Sequence, residues 1–438
     1  MLAREVRRLA IPAILHSLLQ TLVFVVDRIM LGAHSEASLA AMQLGGALEW
    51  SVWSVFAAFE VGTVARVGRH VGAKEPALAR RAALISLALA GAIGTVLTVI
   101  TPLVLFALPR IAPNASPASI AEAQAYLSVT LAASPIVFLA MTAIATLQAG
   151  GDTRTPLAIG IFANVVHVGL NALLIPKLGA RGAGISTGVT FAIQAAFALY
   201  ALTSTDRPVS LRGPKTDGPI REETRSLARI AFPAFLERIL YHCGYVGYVL
   251  MIASLGEASM AANQSLISVE SICFLSADGF GIAAAALVAQ KLGAKEPDDA
   301  RRAAWIATRY SVIALTAFGL IALGFRDLIM PAFTKDAHVT AIGRNVFWVL
   351  AVAQPFMGAG IVLAQSLRGA GRTREALAVS IVGAVVVRLS ATYLFGIVLG
   401  FGLVGVWMGS TVDWMVRSVL LGVAQRRPLR IPEDARQA

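Results

Sequence analysis

Acidic side chains set inside apolar runs are the first feature with chemical consequence. Asp27 closes the run Val23-Phe-Val-Val26. Glu237, Glu270, Asp278 and Asp413 sit in comparable surroundings farther along, and Arg388 stands between Val387 and Leu389. Desolvation disfavours the charged form of a carboxyl, so such a group can bind and release a proton as its surroundings change. A charge at mid-bilayer costs several kcal/mol, which makes each of these residues a candidate for function. Asn164, His167 and Asn171 form a second pattern. His167 and Asn171 are four residues apart and Asn164 lies three before His167, so one helical face carries all three. Imidazole titrates near neutrality, and beside a buried acid it would handle a proton. Plainer readings stand alongside: Asp27 paired with Arg28 near the outer end of its helix, and His167 serving helix packing alone.

The elements that position these residues follow from composition. Of the 438 residues, 57% are apolar and 14% are charged, against about 25% charged in a soluble domain. Water is therefore not the solvent for most of this surface. Long apolar stretches recur, and a helix needs about 20 such residues to cross a bilayer. About twelve segments meet this description: 10–32, 44–66, 82–109, 120–147, 156–176, 182–203, 227–254, 262–290, 303–331, 341–367, 377–398 and 402–424. Lipid cannot satisfy backbone polar groups, so spanning segments are helices or barrel strands, and strands would give short alternating runs instead. The expected fold is an all-α membrane protein.

The net charge of +12 does not point to nucleic acid. Of the 37 Lys and Arg, 27 fall at the termini and in alternate loops on one side, Arg417 counted among them. That asymmetry is the positive-inside pattern, and it puts both termini in the cytoplasm. Cys243 and Cys273 fall inside spans and imply no disulfide framework. The basic start and apolar run imitate a secretory signal, but further spans follow, so the first helix is read as uncleaved.

Self-comparison reveals a duplication. Val71-Gly-Ala-Lys-Glu-Pro-Ala-Leu-Ala-Arg-Arg-Ala-Ala83 returns as Leu292-Gly-Ala-Lys-Glu-Pro-Asp-Asp-Ala-Arg-Arg-Ala-Ala304, 221 residues later. Glu36-Ala-Ser-Leu-Ala-Ala-Met-Gln43 returns at the same offset as Glu257-Ala-Ser-Met-Ala-Ala-Asn-Gln264, and Glu49 matches Glu270. Several ordered matches at one offset mean repetition. Six spans in each half keep the topology, so the repeats are parallel, and the substrate route is expected between them. The chain divides into an N-lobe at 1–203, a polar Pro/Gly-rich cytoplasmic linker at 204–226, a C-lobe at 227–424 and a polar tail at 425–438.

These repeated segments resemble the multidrug and toxic compound extrusion (MATE) family, and the chain looks like its bacterial DinF-like type. The matching text is Val26-Asp27-Arg-Ile-Met-Leu-Gly32, Arg66 with Val71-Gly-Ala73, Gly279-Phe-Gly281 through Gln290-Lys-Leu-Gly-Ala294, Leu367-Arg-Gly-Ala-Gly371 and Val387-Arg388-Leu-Ser-Ala-Thr-Tyr-Leu394. The resemblance implies two six-helix lobes around a V-shaped cavity. It also implies alternating access and export of cationic or amphipathic compounds against inward H⁺ or Na⁺. Asp27, fifteen residues after Pro12, sits where the family pattern places its cation-site aspartate. Thr187 matches a site threonine. Asn171 stands where an aspartate is usual and His167 where an asparagine is usual. Losing an acid and gaining an imidazole favours a proton over a hard cation that prefers oxygen ligands.

In the second half, Glu237 is expected to offset Arg238, and Arg388 to pair with Asp413 or Glu270. Glu270 repeats Glu49 in a structural or cavity-lining role, and acids lining a cavity would attract cations. Asp278, before Gly279-Phe-Gly281, is a further candidate. The face Trp50, Trp53, Phe56 and Phe59 could stack on flat cations or pack against its neighbours. Gly184-Ile-Ser186-Thr-Gly188 fits a serine-nucleophile pattern but lies in a span without partners. Nucleotide and metal motifs are missing from the sequence. The expected protein is thus a monomeric antiporter of the inner or plasma membrane, not an enzyme. It has no cofactor or metal, a small cationic substrate, the lipid bilayer as surroundings and no nucleic-acid partner. The alternative is a lipid-linked oligosaccharide flippase of the same superfamily, whose cavity would carry several basic residues for the pyrophosphate.

Overall fold

The computed structural model describes residues 2–113, 115–216 and 220–428, without the side chains at 21 and 22. The expected tail lies mostly outside these residues. The described chain is helical throughout: α1 Leu2–His34, α2 Glu36–Gly72, α3 Pro76–Ile111, α4 Pro117–Thr130, α5 Ser134–Ala149, α6 Arg154–Leu178, α7 Ala180–Ala201, α8 Ile220–Ala253, α9 Glu257–Gly293, α10 Pro297–Gly324, α11 Arg326–Phe333, α12 Ala337–Gly369, α13 Thr373–Ser380, α14 Arg388–Thr392 and α15 Gly402–Arg426. Two π-helical stretches, Ile381–Val387 and Tyr393–Val398, flank α14 and make one continuous segment with α13. With α4–α5 also taken as one bent span and the short α11 set aside, twelve long segments coincide with the twelve apolar runs.

Eight of these helices are long and apolar enough to cross a membrane, and the bent pair α4–α5 makes a ninth. The long helices outside this group, α2, α8 and α15, carry the buried acidic residues Glu49, Glu237 and Asp413. Outward faces are bare hydrocarbon: Val99 is 73% exposed and Leu103 67%. No water-soluble surface tolerates such a stripe; a bilayer requires it. The protein is a multi-pass, all-α membrane protein.

Two compact units appear. One holds residues 15 to 229, and the other the residues up to Ile14 together with those from Ile230 onward. The division therefore runs through α1 and α8, so the first turns of each helix belong with the opposite repeat.

The bend within the fourth span has a local cause. α4 and α5 meet at 56° across Leu131–Ala133. Pro135 opens the second helix; it lacks an N–H and its ring clashes with a preceding carbonyl. The Thr98 hydroxyl lies 3.4 Å from the Leu131 carbonyl and 3.1 Å from that of Ala132, so α3 serves the carbonyls the break frees. Gly94 lets α3 come this close, because a Cβ there would sit 2.5 Å from Pro135 Cα.

The repeated Gly-Ala-Lys-Glu-Pro loops fold alike. Lys74 and Lys295 adopt left-handed backbone at φ 59° and 62°. In the first loop the Glu75 N–H donates to the His70 carbonyl at 2.9 Å and the Lys74 N–H to that of Val71 at 3.1 Å. In the second, Glu296 and Lys295 donate to Lys291 and Leu292 at 2.9 and 3.2 Å. Both are the Schellman closure of a helix end. Beside the first loop, Arg66 donates to both Glu223 oxygens at 2.8 and 2.6 Å, tying the start of α8 to the end of α2. His70 Nδ1 lies 3.0 Å from Glu75 and its Nε2 3.8 Å from Glu223. The linker is not merely a polar tether: Val209 is buried against Val67, Ala79 and Leu202, and Arg80 donates to the Leu211 carbonyl at 2.8 Å.

Candidate functional site

Asp27, His167 and Asn171 meet in the unit formed by residues 15 to 229. Asp27 is 1% exposed, and His167 and Asn171 are fully buried. His167 Nε2 lies 2.7 Å from Asp27 Oδ1, and the Asn171 amide donates to the same oxygen at 2.5 Å. Asp27 forms its contacts here and not with Arg28, which is exposed. The four-residue spacing of His167 and Asn171 on α6 brings both to one point, with Asn171 Nδ2 3.0 Å from His167 Nε2. Asn164 is one turn away and half-buried. It donates to the Leu19 carbonyl at 3.2 Å and does not reach Asp27. The shared face of α6 is real, but α1 meets Asn164 with backbone, not with the acid.

The hydrogen-bond order fixes where a proton must be. Thr190 Oγ1 donates to the Ser186 carbonyl at 2.7 Å, so its single hydrogen is committed. His167 Nδ1, 3.0 Å from Thr190 Oγ1, must therefore be the donor in that pair. With Nδ1 protonated, Nε2 is an acceptor in neutral imidazole and a donor in imidazolium. A 2.7 Å approach to Asp27 then needs one proton between the two atoms, carried by carboxylic acid or by imidazolium. In either case the pair has no net charge, which is what a dry interior tolerates.

Thr187 is also buried, but its hydroxyl makes no hydrogen bond of ordinary length, and neither does Asn171 Oδ1. Thr187 approaches the phenol of Tyr126. Tyr126 in turn donates to Glu49 Oε2 at 2.5 Å, with both residues buried. Sequence reading missed Tyr126 and Thr190. Thr190 lies three residues after Thr187 and so shares its face, a signal that was available; Tyr126 left none beyond being a polar aromatic in an apolar span. The Trp50–Phe59 face packs internally: Phe56 stacks on Phe138 at 3.7 Å and Trp53 meets Phe191 at 4.9 Å, while Trp50 is exposed. Ser186 donates to the Gly182 carbonyl within α7, which closes the nucleophile reading.

The second-half candidates gather differently. Arg388 pairs with Asp413 at 2.8 Å, so Asp413 and not Glu270 is its partner. Arg417 also holds Asp413, at 2.7 and 2.5 Å, and stacks 3.8 Å over Trp414. Arg417 is thus not a loop cation as its position suggested; it is 7% exposed. The i,i+4 spacing of Asp413 and Arg417 was the missed signal. Gly383, in the first π-helical stretch, makes room: a Cβ there would stand 2.5 Å from Asp413 Oδ1. Glu237 pairs with Arg368 at 2.5 Å and accepts from Ser380 at 2.5 Å. Its chief partner is therefore on α12 and is not the adjacent Arg238. Asp278 accepts from Gln365 at 3.0 Å, and Glu270 is half-buried, facing Arg388 at longer range. Neither joins the Asp27 cluster.

The family model MatE matches residues 12–173 and again 233–394. The chain belongs to the MatE family. The two matched stretches are 221 residues apart, the offset of the internal repeat. A probable multidrug resistance protein NorM of Thermotoga maritima is 26% identical over 95% of this chain and 90% of its own length. The multidrug resistance protein NorM of Aliivibrio fischeri is 24% identical over 97% and 95%. Among solved structures, the outward-facing conformation of a multidrug resistance MATE family transporter of the MOP superfamily superposes with a TM-score of 0.91 at 20% identity, covering 100% of this chain and 97% of that one. A mutant of the Vibrio cholerae MATE transporter VcmN gives 0.92 at 19% identity, covering 100% and 99%. The MATE fold is the one described above.

The offset of 221 equates positions across the two MATE repeats. Tyr248 takes the place of Asp27 and Glu270 that of Glu49; the offset is 220 at Gly151 and Gly371 and 221 again where the matched stretches end, which sets Arg388 at the place of His167 and Thr392 at that of Asn171. One fold position thus carries an imidazole in the first repeat and a guanidinium in the second.

Proposed function

We propose that this MATE protein exports cationic or amphipathic molecules, drugs among them, in exchange for protons. The proton held between Asp27 and His167 carries this reading. It is buried, its partners are otherwise neutral, and it sits on two helices of one lobe. The printed names of the relatives, multidrug resistance proteins, support the substrate class. Transport would run by alternating access, with both termini in the cytoplasm of an inner or plasma membrane and one chain as the working unit. When the lobe opens to the proton-rich side, the Asp27–His167 pair takes its proton. When it opens to the other side, a cation competes for the carboxylate and the proton leaves.

The flippase alternative needs free buried cations. Among the described residues, Arg66, Arg368, Arg388 and Arg417 are each committed to a carboxylate, which disfavours it. The test is ethidium efflux from vesicles under an imposed pH gradient or Na⁺ gradient, in wild type and Asp27→Asn. Efflux driven by the pH gradient and lost in the variant is the expected result. Efflux driven by Na⁺ alone would move the coupling ion to the unpaired oxygens of Asn171 and Thr187. Efflux unchanged in the variant would remove the mechanism.

A further inference from the structure

We propose that Glu49 is a second proton-carrying group of the same lobe, so that the transport cycle moves two protons. This rests on the antiport reading and adds a carrier to it. Glu49 is fully buried on α2. One of its oxygens accepts from the Tyr126 phenol at 2.5 Å, and the other, Oε1, has no hydrogen-bond partner. The groups around it hold no cation. Tyr126 on α4 is neutral, and the Thr130 hydroxyl on α4 and the Thr187 hydroxyl on α7 lie nearby without ordinary hydrogen bonds. The other ionisable group in range is Asp27 on α1, and its pair with His167 has no net charge to offset a carboxylate at Glu49. α5 carries no titratable residue; those of α3 and α7, Arg80, Arg81, Arg110, Arg181 and Tyr200, stand near the helix ends. Among the described residues, Glu49 makes no salt bridge.

A carboxylate in such a place would be an uncompensated buried charge, the arrangement proteins avoid most consistently. Glu49 therefore carries its proton on Oε1, with the Thr130 oxygen as the acceptor in reach. The second repeat argues the same way from the opposite side. At the equivalent position Glu270 is half-buried, with the guanidinium of Arg388 in electrostatic range, a neighbour that Glu49 does not have.

Exchange follows from the position of Tyr126. Its phenol is within electrostatic range of both Glu49 and Asp27. Two acids that sense each other titrate as a coupled pair, and a cation entering the lobe favours release of both protons. Each step moves one proton from carboxyl to solvent and leaves one carboxylate behind, so the two releases are balanced by a cargo that brings two positive charges.

The test uses full-length protein in lipid, with two readouts. In infrared spectra near neutral pH, Glu49→Gln should remove a protonated-carboxyl band that wild type, Asp27→Asn and the conservative Glu49→Asp retain. On addition of the dication propidium in weak buffer with a pH indicator, wild type should release about two protons per bound dication, and Glu49→Gln and Asp27→Asn about one each. If Glu49→Gln removes no such band, the residue is ionised at rest and the proposal fails. If only Asp27→Asn lowers the proton count, Glu49 is a static acid and the antiport reading survives without it. If neither variant lowers the count, both readings fall.

Discussion

The two repeats surround a buried acid with opposite chemistry. In the first, Asp27 faces an imidazole and an amide; in the second, Asp413 is clamped between two guanidiniums, and tyrosine occupies the position equivalent to Asp27. An imidazole can lose its charge when its partner does, whereas a guanidinium cannot. The first arrangement is therefore suited to exchange and the second to permanence. Duplication supplied two similar scaffolds, and their side chains differ: the first lobe holds an acid beside a group that can lose its charge, the second an acid beside groups that cannot.

The largest effects should separate these roles. Asp27→Asn should reduce pH-driven ethidium efflux to the uncoupled background while changing thermal stability by no more than about 1 kcal/mol, because His167 can relax to its neutral form. Asp413→Asn should do the reverse in kind. It strands Arg388 and Arg417 in the interior, and breaking a buried pair in this way costs about 3–5 kcal/mol. Thermal unfolding in micelles, measured beside transport, checks both. Equal stability losses in the two variants would mean that the lobes do not differ as argued.

A smaller contrast concerns the ends of α2 and α9. The offset of 221 equates His70 with Lys291 and Glu75 with Glu296, and each pair is in contact, at 3.0 and 2.7 Å. Among the described residues, the first end alone also clamps a buried acid, Glu223 of α8. Burial pushes the Glu223 carboxyl up, but hydrogen bonds from Arg66 and His70, with the Arg66 charge, outweigh it and hold the group at about 2, against an ordinary 4.5. A carboxyl held low stabilises the fold above its ordinary value and loses that contribution as pH falls towards its folded value. Glu223→Gln should therefore cost about 3 kcal/mol near neutral pH. The gap to wild type should narrow as pH falls from 4.5 towards 2. A gap that does not change with pH would show that Arg66 is held by packing and not by charge.

How much of this was legible in sequence depends on the range of the interaction. Helices and repeats are local or self-similar patterns, so the twelve segments and the offset could be read directly. Asp27 stood out because a lone acid in hydrocarbon is conspicuous, and the shared face of His167 and Asn171 followed from helical geometry. The choice of Asp413 for Arg388, and of Arg368 for Glu237, depends on how distant helices pack, which no spacing encodes. Arg417 looked like a loop cation because it lies near the end of a span, yet α15 turns it inward over Trp414. Asn164 shows the opposite error: a correct face, met by a neighbour's backbone.

The smallest effect concerns what the repeats share. Lys74 and Lys295 both close their helices with left-handed backbone, a conformation that costs a residue with a Cβ about 1–2 kcal/mol. Glycine adopts it freely but gives up about 0.5–1 kcal/mol through the greater freedom of its unfolded chain. Lys74→Gly should therefore stabilise the protein by roughly 0.5–1 kcal/mol, and Lys295→Gly by the same amount, as both loops are closed by the same pair of backbone hydrogen bonds. Lys291 and His70 precede these turns and differ in charge, but neither contributes to the backbone closure through its side chain. Matching shifts in melting temperature would place the divergence of the lobes in side-chain chemistry alone. A gain in one loop and a loss in the other would mean that the backbones, too, have come under different constraints.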